Sequence, residues 1–230
     1  MTRQPRARGS IAAVALSGLL SAGPAAACEL ELVLAMDVSR SVVKSEYDLQ
    51  MGGLAAAFRD PEIVETITWI TGGVMVTVSQ WSGAEAQTQP VPWTHLQSAS
   101  DVAAFANAIS AQKRAFFASY TAIGEALAHA ASLSATNPMR CKRRVIDVSG
   151  DGASNRGRPA REVADALEAQ GVTINGLVIM GGWPDPADFY RRNVVRGPAS
   201  FLELADDFSD YADAIKRKLL RELAPRVARR

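Results

Sequence analysis

Two kinds of apolar pattern alternate along the chain. The first is a short run. Leu30 to Met36 is apolar except for Glu31, which is the pattern of a strand buried on both faces. Val74 to Trp81 alternates Val74, Val76 and Val78 with Met75, Thr77 and Ser79, and predicts a second strand. Arg143 to Ser149 and Val172 to Met180 predict two more, and Ser200 to Leu204 a short last one. The second kind is a helical stripe. Lys44 to Phe58 carries Tyr47, Leu49, Met51, Leu54, Ala55 and Phe58, and Arg59-Asp60-Pro61 ends it. Further helices are predicted from a Ser100-Asp101 cap to about Gln112, over Ala122 to Leu133, over Pro159 to Gln170, near Asp188 to Asn193, and over Ser209 to Leu223. Pro159 suits a first turn and Gly171 a helix end. Glu62 to Ile70 reads as a helical turn followed by an edge strand at Thr66 to Trp69. Ser82 to Pro92 reads as a loop with at most a short strand at Gln87 to Val91.

Strands alternating with helices predict an α/β fold, with a mainly parallel central sheet and helices on both faces. The 230 residues, 48% of them hydrophobic, are enough for one such core, and no linker or repeat divides it. Residues 1–27 read as a signal peptide: Arg3, Arg6 and Arg8, an apolar run from Ile11 to Leu20, then Ala25-Ala26-Ala27 as a cleavage site. Residues 28–230 are then the mature domain. Losing three Arg takes the chain from 25 basic and 24 acidic residues to 22 against 24, a balance that does not point to nucleic acid. No later stretch approaches the eighteen apolar residues of a transmembrane segment.

Two cysteines in an exported protein favour a disulfide, with two free buried thiols as the alternative. Lipidation of Cys28 is a further alternative, but Pro24-Ala25-Ala26-Ala27 lacks the branched or leucine-type residue expected three positions before a lipidated cysteine.

The chemistry concentrates in three places. Asp37, Ser39 and Ser41 alternate where the first strand hands over to the first helix, the end of an open α/β sheet at which ligands bind. Thr121 lies in the loop before a helix, and Asp151 lies just past a strand between Gly150 and Gly152. Alone, each has an ordinary explanation as a helix cap or a turn. All five are hard oxygen donors, suited to Mg²⁺, Ca²⁺ or Mn²⁺.

In this order the five residues resemble the metal-ion-dependent adhesion site of the von Willebrand factor A-type domain, whose signature is Asp-x-Ser-x-Ser, then Thr, then Asp. The resemblance covers Glu29 to Leu223 and is nearest to secreted bacterial proteins of unknown function that carry this domain. It implies a Rossmann-like sheet and a metal site of Asp37, Ser39, Ser41, Thr121 and Asp151 holding Mg²⁺ or Mn²⁺. It also implies a partner protein whose Asp or Glu carboxylate completes the shell. Arg40 departs from the small residue common there; it either disfavours the metal slightly or adds a contact to an acidic ligand. In the family the strands ending at Asp37 and Asp151 are parallel neighbours. Cys28 and Cys141, nine and ten residues before those acids, then fall together and form a disulfide.

Outside the motif, Asp147 lies about 13 Å from Asp151 at strand spacing and is expected to pair with a buried donor instead of the metal. His95 and His129 have no acid or nucleophile at useful spacing. Trp183 is placed at the rim of the site or in packing. Arg40, Arg156 and Arg158 would make the rim attractive to an acidic surface, or are merely solvated. The basic run from Lys216 to Arg230 reads as a contact patch or a solvated helix end and tail. The function expected is an exported, periplasmic or extracellular metal-dependent protein-binding module that is not an enzyme. The alternatives are a Mg²⁺-dependent phosphoester hydrolase and a structural domain with a vestigial metal site. The hydrolase would want a second Asp where Ser39 stands, and no positioned base or nucleophile is visible.

Overall fold

The computed structural model describes residue 1 and residues 28–117, 120–182 and 185–224. All but the first residue of the leader reading of residues 1–27, Trp183 and the basic tail beyond residue 224 lie outside the described residues. In chain order the elements are β1 (Cys28–Asp37), α1 (Lys44–Ala57), α2 (Pro61–Trp69), β2 (Val74–Trp81), β3 (Gln87–Leu96), α3 (Ala99–Ser110), α4 (Ile123–Leu133), β4 (Cys141–Gly150), α5 (Ala160–Glu168), β5 (Val172–Ile179), α6 (Pro186–Asn193), β6 (Leu202–Ala205) and α7 (Tyr211–Leu223). The six strands form one sheet in the order β3-β2-β1-β4-β5-β6, parallel except for β3. The predicted fold class is the one observed.

Side chains alternate across each strand, and that alternation divides the core in two. Leu30, Leu32, Leu34 and Met36 of β1 pack toward α1, α2, α3 and α7. Val33 and Ala35 pack on the other face, toward α4, α5 and α6. A strand covered on both sides has no polar face, which is why β1 reads as a continuous apolar run. On the first face α1 lies close against α7, because Gly53 has no Cβ. A Cβ there would meet the Tyr211 ring at 3.0 Å and the Ala212 backbone at 3.1 Å.

Two predicted elements are corrected. Thr66 to Trp69 is not an edge strand but the last turn of α2. Asp60 accepts the Glu62 N–H at 2.9 Å, Pro61 takes the first turn, and Ile63 and Ile67, one helical turn apart, are both buried. Packing of that pair outweighs the β propensity of Thr66 and Thr68. The short strand placed at Gln87 to Val91 within a loop is instead a ten-residue strand running to Leu96. Pro90 and Pro92 mimic loop signals, but β3 is an edge strand pairing only with β2, and proline is tolerated there. Ser98, not Ser100, caps α3, in a reciprocal box with Asp101.

The Lys216-to-Arg230 run is also corrected, as far as it is described. Lys218 is fully buried: its Nζ lies 2.7 Å from Asp147 Oδ1 and 2.5 Å from Glu222 Oε1. Asn175 Nδ2 donates to the same Glu222 oxygen at 2.8 Å. This lysine is the buried donor expected for Asp147. Burial pushes the Asp147 carboxyl up and Lys218 opposes it. Lys216 pairs with Asp60 and Glu62, Arg217 with Glu203, and Arg221 lies over the Phe201 ring at 3.6 Å. His129 Nδ1 is within 3.1 Å of Ser79 Oγ, and His95 Nε2 within 2.9 Å of the Gly72 carbonyl; both are half-buried structural groups.

Cys28 and Cys141 face each other across β1 and β4, with Cα atoms 4.4 Å apart, and form a disulfide. Closing a loop across 113 positions would stabilise the fold by about 4–5 kcal/mol in the chain-entropy model. Replacing both cysteines with serine should therefore lower the unfolding free energy by up to that amount in denaturant titration, without altering the far-ultraviolet dichroism of the native state. Lys218→Met should cost about 3–5 kcal/mol in the same measurement, because it leaves Asp147 and Glu222 buried together without a cation.

Candidate functional site

The carboxyl ends of β1 and β4 lie side by side, and the five motif residues converge there. β1 delivers Asp37 as its last residue. The strand end is pinned from two sides: Val38 N–H donates to the Trp81 carbonyl at 2.9 Å, and Gln50 of α1 donates to the Asp37 carbonyl at 3.1 Å. The chain then turns so that Ser39 N–H donates to Asp37 Oδ1 at 2.7 Å. That is the aspartate turn that a short acidic side chain forms with the backbone two residues on.

The hydroxyls link the pieces. Thr121 Oγ1 lies 3.4 Å from Ser39 Oγ, Ser39 Oγ lies 3.1 Å from Ser41 Oγ, and Ser41 Oγ donates to Asp151 Oδ1 at 2.9 Å. Asp37, Ser39 and Thr121 are buried, Asp151 is half-buried and Ser41 is exposed, so the cluster opens to solvent on the Ser41–Asp151 side. The other Asp37 oxygen, Oδ2, is buried with no hydrogen-bond partner among the described residues. Burial, and then the charge of Asp151, push the Asp37 carboxyl up to about 8. Asp151 is raised as well, chiefly by burial.

One buried acid with an orphaned oxygen, a half-buried second acid and three hydroxyls that link them are an arrangement that a divalent cation would relieve. The donor set fits a hard cation held partly through water. Among the described residues no group of three or more His, Cys, Asp or Glu is placed to hold a metal ion, so this candidate rests on two acids and three hydroxyls.

Several residues that shape the site carry no motif. Arg114, from the loop after α3, donates through Nη2 to the carbonyls of Val38 at 2.9 Å and Ser39 at 2.6 Å. Asn155 and Thr121 exchange hydrogen bonds, each 2.9 Å, and Ser154 Oγ accepts the Ile123 N–H at 3.2 Å. The loop after β4 is thereby stitched to the loop that carries Thr121. Tyr190 of α6 places its buried hydroxyl behind the site. A Cβ on Gly150 would meet that hydroxyl at 2.6 Å and Asp37 Oδ2 at 3.0 Å. Glycine at 150 is therefore what lets β4 pass this close to Asp37. An aspartate followed by Ser-Asn in a glycine-bordered loop hints at Asn155, but nothing local marks Arg114 or Tyr190.

The arginine rim is thinner than expected. Arg158 is committed to Glu125, at 3.0 Å. Arg156 lies over the Tyr120 ring at 4.4 Å, and Arg40 is exposed.

Solved structures with this fold are von Willebrand factor A domains. Proximal thread matrix protein 1 from the mussel byssus superposes with a TM-score of 0.64 at 17% identity, over 86% of this chain and 48% of that one. Another structure of the mussel protein is described as having a zinc-occupied MIDAS motif. A von Willebrand factor type A protein from Catenulispora acidiphila gives 0.59 at 19% identity, over 87% of this chain and 44% of that one. The domain of the type V pili tip protein Mfa5 from Porphyromonas gingivalis gives 0.57 at 10% identity, over 89% of this chain and 99% of that one. The chain thus spans under half the length of the first two. No curated protein matches it. A family model described as protein of unknown function (DUF1194) matches residues 27–227, and the chain, with its von Willebrand factor A fold, belongs to that family.

Proposed function

We propose that this protein is an exported, metal-dependent protein-binding module. Asp37, Ser39, Ser41, Thr121 and Asp151 hold a divalent cation, Mg²⁺ or Mn²⁺, and an Asp or Glu carboxylate of a partner protein completes its shell. The observation that carries this reading is the orphaned Asp37 Oδ2, buried beside a second acid and three hydroxyls. Two carboxylates neutralise a divalent ion, so a third from a partner is accepted with modest affinity, and the rim supplies the rest. The zinc-occupied motif of the mussel protein and the pilus-tip domain from Porphyromonas gingivalis support a binding role over a catalytic one. A phosphoester hydrolase would want a second Asp two positions after Asp37, and Ser39 stands there instead. Export is supported by the leader-like residues 1–27 and the disulfide. Among the described residues no helix is long and apolar enough to cross a membrane.

Mg²⁺ or Mn²⁺ at a hundredfold over its dissociation constant should stabilise the protein by about 2.7 kcal/mol, a rise in Tm of roughly 5–10 °C. Asp37→Ala should abolish that rise; equal responses of wild type and variant to Mg²⁺ and EDTA would mean the site is wrongly assigned. Gly150→Ala should also abolish it, since the new methyl displaces Asp37 Oδ2 or the Tyr190 hydroxyl, at a cost of about 1–3 kcal/mol in the metal-free protein.

Asp37 generates a pH signature. Its carboxyl titrates higher in the folded than in the unfolded protein, so in chelator its contribution to stability is complete below about pH 4 and is lost as pH rises through about 8. The metal competes with that proton, so the Mg²⁺-induced rise in Tm should grow between pH 6 and pH 8.5. A shift independent of pH would exclude Asp37 as a ligand. For the partner, capture from the native envelope should fail in EDTA, and Thr121→Ala should weaken capture without unfolding the domain. Undiminished capture in EDTA would move the interface to another face.

A further inference from the structure

Beside the metal-site loop lies a pocket of about 480 Å³, lined by Lys44, Tyr47 and Asp48 of α1 and by Gln112, Lys113, Arg114 and Phe117 from the loop after α3. Its charge is net positive: Lys44 and Asp48 pair with each other at 2.6 Å, and Lys113 and Arg114 remain. Phe117 is 79% exposed, an unusual position for a large apolar ring, and the Arg114 guanidinium lies 5.1 Å from its centroid. The pocket therefore combines cations with an open aromatic surface.

Its walls are held in place. The side chain of Gln80, buried at the end of β2, donates to the Tyr47 hydroxyl at 3.0 Å and to the Lys113 carbonyl at 3.2 Å. It also accepts the Ala115 N–H at 2.8 Å. One buried amide thus joins both walls, so little ordering is needed when something binds. The pocket is also continuous with the metal loop. Arg114, which lines it, is the residue whose guanidinium holds the Val38 and Ser39 carbonyls.

We propose that this pocket is a second acidic subsite. It takes an Asp or Glu side chain from the same partner segment whose first carboxylate reaches the metal, with Phe117 covering the intervening apolar atoms. The subsite rests on the metal-site reading above and adds the partner's chemistry to it: an acidic segment with two carboxylates a few residues apart. A cationic pocket against an acidic segment gives specificity and faster association more than raw affinity.

The test uses synthetic peptides on the mature protein in Mg²⁺ or Mn²⁺, read by fluorescence anisotropy. One peptide carries a single Asp; the others carry a second Asp one to four residues further on. The expected result is that at one spacing the second acid tightens binding about three- to tenfold. Lys113→Gln should lose that gain and keep the single-Asp affinity, with the Mg²⁺-induced rise in Tm as the control for folding. If single-Asp binding depends on metal but no spacing shows a gain, the subsite is overturned and the metal reading stands. If EDTA leaves all binding unchanged, the metal reading fails and the paired subsite with it. A gain from phosphoserine that neither Asp nor Glu reproduces would overturn the carboxylate assignment. So would a gain that persists in Lys113→Gln.

Discussion

The burial of one carboxylate, that of Asp37, sets the terms for the rest of the structure. A carboxylate out of water is costly unless something compensates it. Here one oxygen accepts the Ser39 N–H and the other has no hydrogen-bond partner among the described residues. Gln50 and Trp81 hold the strand end, Gly150 lets β4 close against it, and Arg114 fixes the following turn. Of these only the Arg114 guanidinium opposes the charge, and burial outweighs it. Together the contacts keep the carboxylate aimed at the point where Ser39, Ser41, Thr121 and Asp151 also gather, which is the preorganisation a cation site requires.

β1 and β4 carry three features along their length. At one end the disulfide joins Cys28 and Cys141, in the middle Asp147 meets Lys218, and at the other end Asp37 and Asp151 come together. The buried triad of Asp147, Lys218 and Glu222 is a weak source of net stability, because desolvation consumes most of the attraction. It does tie α7 to β4 in a single register. The clasp at one end and the docked helix in the middle fix how β1 and β4 lie together, and the site is presented at their other ends while its remaining donors arrive on loops.

Those loops are not independent. Asn155 and Ser154 bind the β4–α5 loop to the Thr121 loop, and Arg114 and Gln80 bind the segment before it to β1 and β2. A ligand on the pocket lined by Arg114 therefore rests on the same backbone that positions Ser39. The exposed part of this end combines an acidic cluster with flanking cations, Arg40 and Arg156 on the rim and Lys113 in the pocket. That mixture suits a partner carrying carboxylates.

Most of the alternation of strands and helices, the buried character of β1 and the positions of Asp37, Ser39, Ser41, Thr121, Asp151, Cys28 and Cys141 were legible in the sequence. They rest on periodicity, turn residues and motif order, which are local, and on the family likeness, which made the strands ending at Asp37 and Asp151 parallel neighbours and hence paired the cysteines. Where local signals conflicted, tertiary packing decided. Ile63 and Ile67 made a helix of a β-branched stretch, and an edge position made a strand of a segment with two prolines. Lys218 could not be told from its exposed neighbours, because only the docking of α7 on β4 removes it from water. Arg114, Gln80 and Tyr190 were invisible for the same reason. Each acts on a residue more than thirty positions away, and such partnerships are set by how the chain packs, not by the residues beside them.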